Sequence, residues 1–276
     1  MKTRSTEVRD PRQRLPIGLI SRTFEARRSE GRAALVPYVT AGYPALDSTV
    51  PLLEALASAG GDVLELGIPF SDPLADGPTI QRSSFVSLEN GTTARSVLAD
   101  LRAFRSRHET PVVLFTYLNP VLQYGVDSFL ADALQAGANG LLLTDLPTGA
   151  DPALEEKVST SPLDLIRLVA PTTAPDRVSE VAAGGSGFLY YISRTGVTGA
   201  RSELRDAIGD EVGRVRRAVS LPVAVGFGIS TPEQAGEVAA VADGVVVGSA
   251  LIQVLQDGGI DSAASFVASL RSGMDA

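Results

Sequence analysis

Eight short, β-rich apolar runs, each followed by a stretch with helical amphipathic spacing, predict an α/β chain closed into a (β/α)8 barrel, the TIM-barrel architecture. The runs are near-continuously apolar rather than alternating, which marks a parallel sheet covered on its outer face. The 276 residues suit eight such units and lie near the upper limit for one core. No linker, low-complexity tract or composition break divides the sequence. The expected organisation is a disordered arm over 1–16 and a single barrel domain over 17–276.

The segment "LISRTFEARRSEG" (19–31) predicts an extra N-terminal helix capping the barrel bottom. The first strand is "LVPYVT" (35–40), followed by helical "STVPLLEALASAG". The second is "DVLELGI" (62–68), which runs into a long acidic loop and then the helix "TIQRSSFVSLENG". "VVLFTYL" (112–118) and "GLLLTDL" (140–146) are strands three and four, with "VDSFLADALQAG" between them and the compact helix "DPALEEKVSTS" after them. Strands five and six are "DLIRLVA" (164–170) and "GFLYYIS" (187–193), separated by "DRVSEVAA". "PVAVGFG" (222–228) and "GVVVGSA" (244–250) complete the sheet on either side of "TPEQAGEVAAVA". Ser249 opens the helix "ALIQVLQ", and 261–275 forms a final helix. Glycines in "SAGGD" and "QAGANG" stop helices just before strands.

Composition excludes several functions. The chain is 44% apolar and 20% charged, which is globular rather than disordered or fibrous. A net charge of −8 disfavours nucleic acid as a partner. No apolar run approaches the ~20 residues that span a bilayer. The opening "MKTRSTEVRDPRQR" is basic but has no apolar signal core. Cysteine is absent, so there is no disulfide framework, in keeping with the cytoplasm. With His108 the only histidine, a zinc site or a histidine-activated nucleophile has no side chains to draw on. His108, in "RSRHETP", reads as a surface residue. The lysines are Lys2 and Lys157, and neither ends a strand, so Schiff-base chemistry lacks its nucleophile. No metal or cofactor is expected on this chain. Its chemistry must come from carboxylates, hydroxyls, arginine and backbone.

Active sites of such barrels lie at the C-terminal strand ends. There, Glu65 interrupts the apolar frame "VLELGI", and a poorly solvated carboxyl is suited to donating and accepting protons. Asp76 follows eleven residues on, in a loop stiffened by Pro69 and Pro73 and redirected by Gly77-Pro78. Asp72 and Asp76 could also each serve as loop caps. After strands seven and eight, "GFGIST" (226–231) and "VGSA" (247–250) place glycines before helices, a backbone cradle for phosphate. The polar loop "SRTGVTGA" (193–200) has the composition of a lid, or of a flexible connection.

The segment "ELGIPFSDPLADGPTIQ" (65–81) strongly resembles the second strand and loop of the tryptophan synthase α-subunit family. The resemblance extends through "VPYVTAGYP", "TYLNPVLQYG", "TDLP", "LVAPTT", "YYISRTGVTGA", "LPVAVGFGISTPEQ" and "DGVVVGSALI". It implies a retro-aldol cleavage of indole-3-glycerol phosphate to indole and glyceraldehyde 3-phosphate. Glu65 would be the general acid and base. Asp76 would accept the indole N–H and stabilise the charge built up on protonation. Tyr38, Phe115 and Leu142 would line the indole slot, and Tyr190, ending strand six, would be the substrate-binding aromatic that lies by Glu65. Gly199, Gly228, Gly248 and Ser249 would bind phosphate, and Thr198 would brace the lid against Asp76.

The resemblance also implies a tryptophan synthase β subunit as partner, in an α2β2 heterotetramer. It would contact Asp72 and the loop around Asn119 and carry the pyridoxal phosphate. The departures from the family pattern, "TGAD" after "TDLP" and the compact fourth helix, fall near that partner surface. Two other readings remain: a stand-alone lyase releasing free indole, and a non-catalytic allosteric barrel, against which the presence of both Glu65 and Asp76 speaks. Indole-glycerol-phosphate synthase is disfavoured by the missing strand-end lysines.

Overall fold

A computed structural model describes residues 18–192, 201–226 and 228–276. Helix α1 (Leu19–Ser29) precedes β1 (Ala34–Thr40) and α2 (Thr49–Ser58). Two helices follow β2 (Leu64–Gly67), namely α3 (Pro78–Glu89) and α4 (Ala94–Arg105). Two also follow β3 (Val112–Thr116), α5 (Leu118–Tyr124) and α6 (Val126–Ala136). The second half alternates singly through β4 (Gly140–Leu143), α7 (Pro152–Ser159), β5 (Asp164–Val169), α8 (Pro175–Ala183), β6 (Leu189–Ile192) and α9 (Arg201–Ala218). It ends with β7 (Val223–Gly226), α10 (Pro232–Ala239), β8 (Gly244–Val247) and α11 (Ser249–Met274). All strand pairs are parallel, neighbours follow chain order, and β8 closes on β1 through Ala34↔Gly244 to Pro37↔Val247.

Several strands are shorter than the apolar pattern predicts. β3 stops at Thr116 because Tyr117 caps a new helix, and the Leu118 N–H donates to the Asp145 carboxylate at 2.6 Å. Tyr117 and Leu146 are buried yet belong to loops, so their apolar character carries the pattern past the true strand ends. Tyr190, expected at the end of strand six, lies inside it, because the β6 ladder continues to Ile192↔Gly226. The final helix is the second half of α11, set off by a kink at Gly259, whose φ of 74° suits glycine.

Alternate strand residues fill the barrel. Val36, Val63, Val113, Leu142, Ile166, Phe188, Ala224 and Val246 form an inner cluster. Ile20 and Phe24 of α1 join it, and Phe24 stacks on Phe188 with ring centroids 5.2 Å apart. The extra N-terminal helix therefore plugs the barrel opposite the site. A second, larger apolar layer lies between the sheet and the helices.

One buried cation fastens the closure. Arg271 of α11 donates to the Ala33 carbonyl at 3.1 Å and to Asp62 at 3.2 Å, and Asp62 also accepts the Leu35 N–H at 2.8 Å. The last helix is thereby tied to the entry of β1. Arg271→Met leaves Asp62 short of its nearest cation and should cost about 3 kcal/mol. Chemical denaturation measures it, and a loss below about 0.5 kcal/mol, the range of an ordinary surface substitution, would assign closure to apolar packing alone.

Candidate active site

At the C-terminal end of the barrel, alternation brings Tyr38, Glu65, Gly67, Phe115, Leu168, Tyr190 and Gly226 to the inner face. Tyr38 pairs with Glu65 across β1 and β2, and Gly67 with Phe115 across β2 and β3. Each tyrosine reaches over the next strand where a glycine leaves room. A Cβ on Gly67 would lie 2.3 Å from the Tyr38 Oη, and one on Gly226 would lie 2.5 Å from the Tyr190 Oη. Phe115 meets Tyr38 edge-on, at 5.1 Å and 71°. Phe115 and Tyr190 remain partly exposed, whereas Leu142 is fully buried beside them.

Glu65 is 0% exposed. Neither of its carboxyl oxygens has a hydrogen-bond partner among the described residues. Burial without compensation penalises the charged form and pushes the carboxyl up to about 8.

Asp76 is held differently. The Tyr117 hydroxyl donates to Asp76 Oδ2 at 3.0 Å and accepts the Ala75 N–H at 3.0 Å. Burial raises Asp76 to about 6, and the Tyr117 hydrogen bond opposes that rise. The Tyr117 ring also packs on Phe70, centroids 5.2 Å apart, so the acidic loop is clamped to the start of α5. Tyr117 is a site residue that sequence reasoning missed. Its one signal is a tyrosine at a strand end in "TYLNP", and nothing local links it to Asp76.

The two glycine turns differ in what they offer an anion. Gln234 accepts the Ser230 and Thr231 N–H groups at 2.8 and 3.2 Å, so the entry to α10 already has its acceptor. Gly248 caps α11 with no side-chain acceptor, and Ser249 is the first helical residue. Gly228 holds φ at 78°, which a residue with a Cβ adopts only under strain. The start of α11 keeps free the N–H groups and positive helix end of the kind that suits an anion.

Asp72 is exposed and accepts from the Ser71 hydroxyl at 2.5 Å, Leu74 beside it is 90% exposed, and Asn119 is exposed in the first turn of α5. Thr198 and Gly199, with the rest of "SRTGVTGA", lie outside the described residues, as does the 1–16 arm. His108 is not a plain surface group, because its ring stacks on Phe104 at 4.9 Å. Among the described residues no cluster of His, Cys, Asp and Glu could hold a metal ion, and no helix is long and apolar enough to cross a membrane.

Fold and site together define the class: a TIM-barrel enzyme with two carboxylates in contrasting environments, Glu65 on β2 and Asp76 in the loop that follows it. The family profile described as tryptophan synthase alpha chain matches residues 24–273, and the chain belongs to that family. It is 48% identical over 259 residues to a tryptophan synthase alpha chain of Citrifermentans bemidjiense, covering 92% of this chain and 97% of that one. Identity to the Burkholderia multivorans alpha chain is 44% over 261 residues, covering 93% and 96%. The solved subunit alpha of Legionella pneumophila str. Paris superposes with a TM-score of 0.87 at 38% identity, covering 94% of this chain and 99% of that one. The chain is thus a carbon–carbon lyase of tryptophan biosynthesis, cleaving indole-3-glycerol phosphate to indole and glyceraldehyde 3-phosphate.

The isolation of Glu65 has a measurable consequence for stability. Folded, the carboxyl holds its proton up to about 8; unfolded, it releases it near 4.5. Between those values the folded state binds the extra proton, so stability falls as pH rises. Glu65→Gln removes that dependence. Its melting temperature should exceed the parent's near pH 7.5 and converge with it toward pH 4. A difference that does not change with pH would mean that Glu65 is ionised when folded.

Proposed function

We propose that Glu65 performs both proton transfers of the cleavage and that Asp76 supplies the compensating charge. Glu65 protonates the ring carbon that carries the side chain, and positive charge spreads to the ring nitrogen. Asp76, ionised, accepts the N–H and stabilises that charge. Glu65 then takes the proton from the adjacent side-chain hydroxyl as the carbon–carbon bond breaks. The bonding pair returns to the ring, the hydroxyl carbon becomes an aldehyde, and Glu65 ends as it began. Supporting this assignment above all is the complete burial of Glu65 without a hydrogen-bond partner among the described residues. A carboxyl kept neutral near pH 7 can both give and retake a proton.

On this reading Tyr38, Phe115, Leu142 and Tyr190 form the indole slot. Gly228, Gly248 and Ser249 receive the phosphate with Gly199, and Thr198 closes the lid toward Asp76. The chain works without a cofactor or metal of its own, in the cytoplasm. The roles set two limbs on the rate. Asp76 must be ionised, so activity should fall below about 6; Glu65 must be protonated, so activity should fall above about 8. The kcat/KM profile for indole release should therefore be a bell between those values, and Glu65→Gln should lose about 100-fold or more at its maximum. Activity of that variant within tenfold of the parent would sink the assignment.

We further infer a tryptophan synthase β subunit as partner, in an α2β2 assembly whose β chains carry pyridoxal phosphate. Exposed Leu74 and Asp72, on the loop that carries Asp76, support it, as does exposed Asn119 across the Phe70–Tyr117 contact. Docking there would order the loop and present Asp76 to the substrate. Addition of the β subunit should raise lyase turnover, and Asp72→Ala should remove most of that rise, as read by indole release with and without β. An unchanged response of Asp72→Ala removes this coupling route, and a parent already fully active alone favours the stand-alone lyase.

A further inference from the structure

A chain of buried hydroxyls runs from the site into α3. Tyr38 Oη lies 3.3 Å from Thr40 Oγ1, Thr40 Oγ1 lies 2.7 Å from Ser83 Oγ, and Ser83 donates to the Ile80 carbonyl at 2.9 Å. All three residues are buried, so water does not complete their hydrogen bonding. Proton counting then fixes the direction of the chain. A hydroxyl has one proton, and a carbonyl can only accept. Ser83 commits its proton to Ile80, so it must accept from Thr40. Thr40 has then used its own proton, so it must accept from Tyr38. Every proton points away from the site, and the Tyr38 lone pairs are left facing it.

Glu65 stands beside Tyr38 on the next strand. Tyr38 is its register partner, and the Tyr38 phenol oxygen crosses over Gly67, two residues beyond it on β2. The other titratable groups in electrostatic contact with this pair are Tyr190 of β6, Asp76 of the β2–α3 loop and Tyr117 at the start of α5, and none is a cation. A phenol free to rotate would turn its proton toward an ionised Glu65 and favour the carboxylate. The chain to Ile80 forbids that rotation.

We propose that Thr40 and Ser83 are positioning residues for the lyase reaction: they hold the Tyr38 proton away from Glu65, so that no donor stabilises its ionised form. The proposal rests on the reading of Glu65 as the acid. It also assigns a use to two hydroxyls, those of Thr40 and Ser83, which reach the site only through Tyr38.

The test is the pH profile of indole release for Thr40→Val, Thr40→Ser, Tyr38→Phe and the Thr40→Val/Tyr38→Phe pair. Thr40→Val keeps the shape but frees the phenol proton, which should move the alkaline limb down by about one pH unit or more, the size of a hydrogen bond to a charged group. Thr40→Ser should hold the parent limb. Tyr38→Phe in the Thr40→Val background should bring the limb back, since no phenol remains to donate. A Thr40→Val limb identical to the parent's overturns the proposal, whatever happens to kcat or melting temperature, because a purely structural hydroxyl lowers both without moving a limb. So does a shifted limb that persists in the double variant. If Thr40→Val does not fold, Ser83→Ala must show a downward shift, and its absence is equally fatal. Glu65→Gln is run alongside: an alkaline limb that survives in that variant belongs to another group, and the reading of Glu65 fails rather than the chain.

Discussion

The barrel's active end is organised around one unfavourable burial, the Glu65 carboxyl. Burial without a partner penalises the ionised carboxylate, so the group responds by staying neutral. Neutrality requires two things of its surroundings: no cation nearby, and no donor aimed at it. The described structure meets both. Among the described residues Arg271 and Arg167 are engaged elsewhere, Glu65 has no hydrogen-bond partner, and in the proposed chain the Tyr38 proton is held by Thr40. Gly67 and Gly226 belong to the same arrangement, because a β-carbon at either place would displace the tyrosines that roof the acid.

Asp76 shows what changes when a donor is supplied. It is the same functional group a short distance along the chain, also drawn up by burial, yet one hydrogen bond from Tyr117 opposes the rise, and it titrates about two units below Glu65. Two acids with separated protonation ranges are what a reaction needs when it must deliver a proton and stabilise the resulting cation at one pH. Part of the separation is the ordinary difference between aspartate and glutamate, 3.8 against 4.5, and the rest comes from environment. It depends on a loop contact for Asp76 and on strand geometry for Glu65.

How much of this is legible in the sequence follows from what is local. The eight strands are readable because parallel strands buried on both faces leave near-continuous apolar runs. Glu65 is readable because a charge in such a run is an exception that needs a reason. Asp76 is readable from its loop and from the family resemblance, which also points to Asp72 and Asn119. Tyr117 is not readable, since its bond to Asp76 joins residues 41 apart, and a tyrosine after a strand looks like continued strand. The same limit hides the link from Thr40 to Ser83 across 43 residues. Serines on α3 look like a polar helix face, whereas Ser83, Ser84 and Ser87 are all buried against the barrel. Strand ends are overrun for a related reason: Tyr117 and Leu146 are apolar and buried, but they are buried by loops.

On the proposed reading, the β2–α3 loop lets chemistry and partner docking share one short segment. Its inner side presents Asp76, held by Tyr117, and its outer side presents Leu74, almost wholly exposed, beside Asp72. Between them stand Pro73, which limits the backbone, and the Phe70–Tyr117 ring contact, which ties the loop to α5 and thus to Asn119. A partner that covered Leu74 would press on a segment with few soft torsions, so displacement outside would reach the carboxylate instead of dissipating in the loop. Glu65 sits on the sheet and would not move with it. The proposed division of labour follows from that contrast: the proton carrier belongs to the rigid barrel, and the group that responds to a partner belongs to the loop, where a hydroxyl 3.0 Å away decides how its carboxylate is held.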